Sequence, residues 1–208
     1  MYKYLTLAIR EVRPNVNEFA VVIMEMHSGE FRSFFFEKDE IISTEGEVFW
    51  DIGFVTTMKD PPPDKDSRSK PTGFMNIEDA RSSLKSILDS KTAYAGAFFA
   101  NENIEYTIVK AKNVSDITVA EKDGKIQSRM KVAIEGGFLP PQQQWLLNKD
   151  YRWIEYWKHI YEKDTVVEKK KQYIQLFNQH SKTLYLLLYR HTFRDGNKQL
   201  WIAGMHWL

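Results

Sequence analysis

The first sixty residues fall into short blocks of alternating or continuous apolar positions, divided by turn signals. Over residues 2–12, Leu5, Leu7 and Ile9 lie on one side of an extended chain, the period of two that marks a half-buried strand. Pro14-Asn15-Val16-Asn17 is a turn signal. Residues 19–26 are apolar on both faces, which predicts a central strand. Ser28-Gly29 suits a two-residue hairpin loop, and that register sets Glu25 opposite Arg32 in a third strand over 31–36. A fourth strand is expected over 47–58, with Val48, Trp50, Ile52 and Phe54 on one face.

Residues 59–73 break the pattern. Four prolines among mixed charges forbid a regular element, and an exposed loop is expected there. A helix is then predicted from an Asn76 cap to about residue 90, with Ile77, Ala80, Leu84, Ile87 and Leu88 as its inward stripe. Strands are expected over 92–100 and 104–112. A hairpin follows, 117–121 and 126–135, turning at Asp123-Gly124, a strong type I′ signal. Residues 141–148 suit a short helix. Asp150 can cap a second helix through 162, and Thr165 with Glu168 reads as a capping box for a third through 180. A hairpin closes the chain, 183–193 and 199–207. With Gly196-Asn197 as its loop, His191 faces Ile202 and His206 faces Leu187.

Strands in antiparallel runs, not in strand–helix alternation, predict an α+β fold: one or two mainly antiparallel sheets, about 8–10 strands, packed with 3–4 helices. The expected organisation is a single domain over 1–208, with the exposed Pro-rich loop at 59–73. Composition agrees with a packed core: 43% of residues are hydrophobic and 14% aromatic. The early apolar stretch is cut by Arg10 and Glu11, too short for a secretory signal. No apolar run approaches the roughly 20 residues of a membrane helix. The chain has no cysteine, which removes thiolate chemistry and disulfides and fits a cytoplasmic setting.

Net charge is +1, but it is unevenly spread. Residues 145–208 carry +5 and hold five of six Trp and four of five His. Searches for chemistry in this background return little. There is no glycine-rich phosphate loop, no zinc-site His spacing and no nucleophile elbow. Neither a metal nor a cofactor is expected. His191 and His206 share a strand face but stand roughly 13 Å apart at about 3.3 Å per residue, too far to hold one metal. The densest run of functional side chains is Tyr189 to Asp195. There Arg190, His191 and Arg194 are the candidates for phosphate positioning or acid–base work.

A second group mixes cations with rings. Arg152, Tyr156 and Lys158, with the run Lys169, Lys170 and Lys171, are the candidate binding residues on the two predicted helices. The missing catalytic motifs and the near-neutral balance favour a non-enzymatic intracellular binding or regulatory protein. Its expected partner is a macromolecule, protein ahead of nucleic acid, with no membrane role. Size and composition suit a bacterial or phage accessory component, such as an immunity or defence protein. The alternative is a binder of RNA or single-stranded nucleic acid, or a metal-independent phosphodiesterase, that uses the basic, aromatic C-terminal third.

Overall fold

The computed structural model describes residues 1–13, 18–37, 50–60, 73–139, 143–163 and 165–208. They form an α+β fold of two five-stranded sheets with four α-helices, in two compact units, Met1–Ile87 and Leu88–Leu208. Among the described residues no helix is long and apolar enough to cross a membrane.

The first unit is one antiparallel sheet in the order β3-β2-β1-β4-β5. Its strands are β1 (Tyr2–Arg13), β2 (Glu18–Glu25), β3 (Phe31–Glu37), β4 (Phe54–Met58) and β5 (Phe74–Asp79). The continuous apolar run of β2 is buried from Phe19 to Met24, as a central strand requires. Tyr4, Val21, Ile23, Phe34, Trp50 and Met58 form one core cluster.

Three local expectations change here. The first hairpin closes with Glu25 N–H donating to Glu30 C=O at 2.9 Å, so the loop spans four residues, 26–29. Ile23, not Glu25, stands opposite Arg32, and Arg32 instead approaches Glu30 at 3.6 Å. The fourth strand begins only at Phe54, because Gly53 takes φ +87°. A side chain there would meet Arg81 Cγ at 2.7 Å. The segment read as a helix from Asn76 is strand β5, paired with β4. Asp79 ends it by accepting the Arg81 N–H at 2.9 Å, which turns the chain. The helix α1 runs Leu84–Thr92, and of the foreseen stripe Leu84 and Leu88 are buried. The turn expected at 14–17, and residues 47–49 and 61–72, lie outside the described residues.

The second unit is a closed barrel. It contains α2 (Ala95–Ala100), β6 (Tyr106–Lys122), β7 (Lys125–Ile134), β8 (Trp145–Asn148), α3 (Tyr151–Tyr161), α4 (Val166–Phe177), β9 (Leu184–Thr192) and β10 (Lys198–Trp207). Around the barrel the order is β10-β8-β7-β6-β9. All pairs are antiparallel except β8 with β10. A three-strand meander, a helical crossover and a closing hairpin thus make a five-stranded Greek-key barrel with the strand order of an OB-fold.

The 17-residue β6 serves two neighbours, pairing with β9 over Tyr106–Lys110 and with β7 from Ala111 to Lys122. Two irregularities between Ala111 and Asp116 bend it from one to the other. At the bend both backbone groups of Val114 are met by Asn178, which follows α4: Oδ1 accepts the N–H at 2.9 Å and Nδ2 donates to the C=O at 2.8 Å. The Asp123-Gly124 turn forms as expected, with both residues at positive φ, 54° and 71°.

Two apolar segments differ in type from the sequence reading. Residues 95–100 are helical and 145–148 are a strand, since short apolar runs carry no decisive period. Asp150 does cap α3, accepting the Arg152 N–H at 3.0 Å, whereas Thr165 makes no side-chain cap on α4. The barrel interior holds Val109, Ile117, Met130, Val132, Leu146, Leu186 and Ile202, together with Trp153, Trp157 and Ile160 of α3.

Candidate nucleic-acid interface

Strand alternation sorts the barrel residues into two sets. On β9, Leu184, Leu186 and Leu188 enter the interior cluster, so Tyr185, Leu187, Tyr189 and His191 point out. The outer side of the β6–β9 half is itself buried: Tyr106, Ile108, Tyr185, Leu187 and Tyr189 are each at most 6% exposed. The open wall is therefore β7–β8–β10.

Its outward residues are Lys125, Gln127, Arg129 and Lys131 on β7, Trp145 and Leu147 on β8, and Gln199 and Trp201 on β10. They line up in cross-strand rows. Arg129 stands opposite Leu147, and Leu147 beside Trp201; Lys131 stands opposite Trp145. Arg129 is exposed, and Trp145, Leu147 and Trp201 are half-buried. Lys149 lies 5.5 Å from the Trp201 ring centroid. Among the described residues, no outward position of these three strands is acidic. Cations interleaved with rings on an open sheet are the ingredients of a backbone-tracking, base-stacking surface.

At one edge the rings form a stack. His191 lies parallel to Trp201, 3.9 Å between centroids and 15° between planes. Phe193 meets His191 edge-on at 4.5 Å. The Tyr189 hydroxyl and His191 Nδ1 are 2.7 Å apart, and Trp201 Nε1 donates to Gln199 Oε1 at 2.9 Å. These bonds fix the orientation of His191 and Trp201. The β9–β10 register is shifted from that expected, by three residues before a bulge between Ile202 and Gly204 and by two beyond it: His191 faces Gln199, and His206 faces Tyr185. The loop is longer than two residues, with Phe193 N–H donating to Asn197 C=O at 2.8 Å.

Arg190 projects from the other face of β9. Its guanidinium donates to the carbonyls of Phe98 (3.0 Å), Asn101 (2.8 Å) and Ile104 (2.9 Å), and its Cζ lies 4.2 Å from the Phe98 ring centroid. Burial holds its pKa below the ordinary guanidinium value, with Glu102 acting in the opposite sense. It clamps the C-terminal end of α2. Arg194 is exposed in the hairpin loop. Arg190, His191 and Arg194 thus do not converge on one point. Among the described residues no group of three or more His, Asp or Glu could hold a metal.

The helical candidates also separate. Arg152 bonds Asp150 and the Met205 carbonyl. Tyr156 packs on Trp153, Trp157 and Tyr173, at centroid separations of 5.1–6.2 Å. Burial, then the Tyr156 hydroxyl, push the Tyr173 phenol up to about 12. Lys158 pairs with Glu155 at 2.6 Å, Lys169 bonds Gln172, and Lys170 lies 3.7 Å from Asp116 of β6. Lys171 is exposed on α4. The aromatic density of α3 serves the core, while the ring-bearing open surface comes from Trp145 and Trp201 on separate strands. Arg129 and Lys131 lie on a strand that the sequence foresaw but were not singled out, and Trp145 falls with the aromatic C-terminal third on an expected helix, so the row that joins it to Lys131 was not seen. Only the alternation of Lys125, Gln127, Arg129 and Lys131 signalled a polar strand face.

A scan against protein-family models and a search of curated proteins find no match to this chain.

Proposed function

We propose that this chain is a binding protein whose C-terminal barrel takes single-stranded nucleic acid across its β7–β8–β10 wall. The observation that carries the reading is the set of cations and rings on β7, β8 and β10, strands that hold no acidic residue. Asp116 of the neighbouring β6 stands opposite Lys131 and 3.7 Å from Lys170. Lys131 stands opposite Trp145, Lys149 lies 5.5 Å from the Trp201 ring, and Arg129 and Lys125 continue the basic row along β7. Such barrels bind oligonucleotides on their second and third strands and on the loops of the first and closing hairpins. Here those strands are β7 and β8, and the loops are the Asp123-Gly124 turn and the 193–197 segment. Base stacking on an aromatic ring is tolerant of sequence, so the binding is of a single strand without a strict motif.

The test is fluorescence anisotropy of labelled 15-nucleotide RNA, DNA and duplex DNA at 50 mM salt. Wild type binds the single strands in preference to the duplex. Trp201→Ala weakens single-strand binding about 5- to 150-fold, from about 1–3 kcal/mol per stacked base. No binding of any single strand at 50 mM salt contradicts the proposal. A stoichiometric protein recovered from the native host, held equally by wild type and Trp201→Ala, favours the accessory-protein reading instead.

A further inference from the structure

Beside the basic wall lies a cavity of about 660 Å³, between α2, the β7–β8 connection and the end of the β9–β10 hairpin. Its lining includes Phe138, Phe193, Trp145, Gln143 and Gln199. Phe138 and Phe193 are unusual, since phenylalanine rings are ordinarily buried. They are 39% and 41% exposed, and both turn toward the same cavity.

Phe138 is held there by its surroundings. Its ring stacks on Phe99, 5.1 Å between centroids and 8° between planes. Gly136 makes room for it: at φ +81°, a Cβ at this position would clash with the Phe138 ring. The ring is thus set in a glycine-lined seat, with one face covered by Phe99 and 39% of the residue left exposed. The opposite wall is also fixed, because the Arg190 clamp ties β9 to the end of α2. Rigid, partly exposed rings cost little ordering entropy on binding, which suits them to stacking. Gln143 and Gln199 are exposed at the rim, where side-chain amides can both donate to and accept from a base edge.

We infer that this cavity is a nucleobase pocket: one unstacked base of the strand leaves the wall and packs against Phe138 and Phe193. The inference rests on the proposed single-strand binding and deepens it. The wall then supplies affinity through charge and stacking on Trp201, and the pocket fixes one nucleotide.

The experiment scans a single abasic site along a 15-nucleotide strand, with wild type, Trp201→Ala, Phe138→Ala and Phe193→Ala, each checked for folding by circular dichroism. Wild type is expected to lose about tenfold in affinity at one abasic position in excess of the others. Phe138→Ala loses about tenfold on intact strands and shows no further loss at that position. Phe193→Ala does the same more weakly. If wild type binds intact strands, yet all abasic positions cost alike and Phe138→Ala binds as tightly as wild type, the pocket is overturned while the wall stands. If wild type binds no strand, both fall. Should Phe138→Ala fail to fold, the flat abasic profile of wild type alone decides against the pocket.

Discussion

Asp150 joins three parts of the barrel through one carboxylate, although its side chain is 2% exposed. It caps α3 through the Arg152 N–H, pairs with the Arg152 guanidinium at 3.1 Å, and accepts the Met205 N–H of β10 at 2.9 Å. Asp150→Ala therefore removes a cap, about 1 kcal/mol, and strands a partly buried N–H, about 1–3 kcal/mol. We expect a loss of about 2–4 kcal/mol in urea unfolding; a change under about 0.5 kcal/mol would contradict that role. Ser128 is a parallel case, accepting the buried Trp153 Nε1–H at 2.9 Å. Ser128→Ala is expected to cost about 1–3 kcal/mol by the same measurement. The sequence made the cap readable, because an acid before a helical stripe has a local meaning. It could not reveal the bond to Met205, 55 residues away. The run from Tyr189 to Asp195 shows the opposite. Its dense chemistry is dealt to two faces of one strand, with Arg190 turned to α2 and His191 to Trp201.

Elements framed by clear turn or cap signals were legible: β2, both C-terminal strands, α3 and the Asp123-Gly124 turn. Short apolar runs without such signals were not, and for that reason α2 was read as a strand and β8 as a helix. The misreading of β8 mattered most, since it hid the row that joins Lys131 to Trp145. The bend in β6 was also invisible, because its support comes from Asn178 at the far end of α4. Asn178→Ala leaves the Val114 N–H and C=O without these bonds and is expected to destabilise the barrel by about 1–3 kcal/mol. Hydrogen exchange should show the loss centred on residues 111–116 and on the end of α4. Uniform protection, unchanged from wild type, would mean the bend holds itself.

At the scale of the whole molecule, charge and titration give independent handles. The Tyr4 and Tyr173 phenols are each raised to about 12 by burial, above the ordinary value of 10.0. Below about pH 10 both states keep these protons; between about 10 and 12 the unfolded chain loses them first, so stability falls as pH rises. The urea midpoint is expected to hold from pH 8 to about 9.5 and to decline from about pH 10; a flat midpoint to pH 11 would contradict this burial. The near-neutral total of +1 conceals the basic wall, since β7, β8 and β10 hold no acidic residue and Asp116 of the neighbouring β6 is the acid opposite Lys131. The salt dependence of single-strand binding therefore tests the account most directly. Four phosphate contacts, by Lys125, Arg129, Lys131 and Lys149, predict a slope of about −2.8 in log affinity against log salt, an affinity loss of about 50-fold from 50 to 200 mM. Replacing both Arg129 and Lys131 by Ala should bring the slope to about −1.4. An affinity independent of salt, or a slope unchanged in the double variant, would contradict the claim that this wall holds the strand.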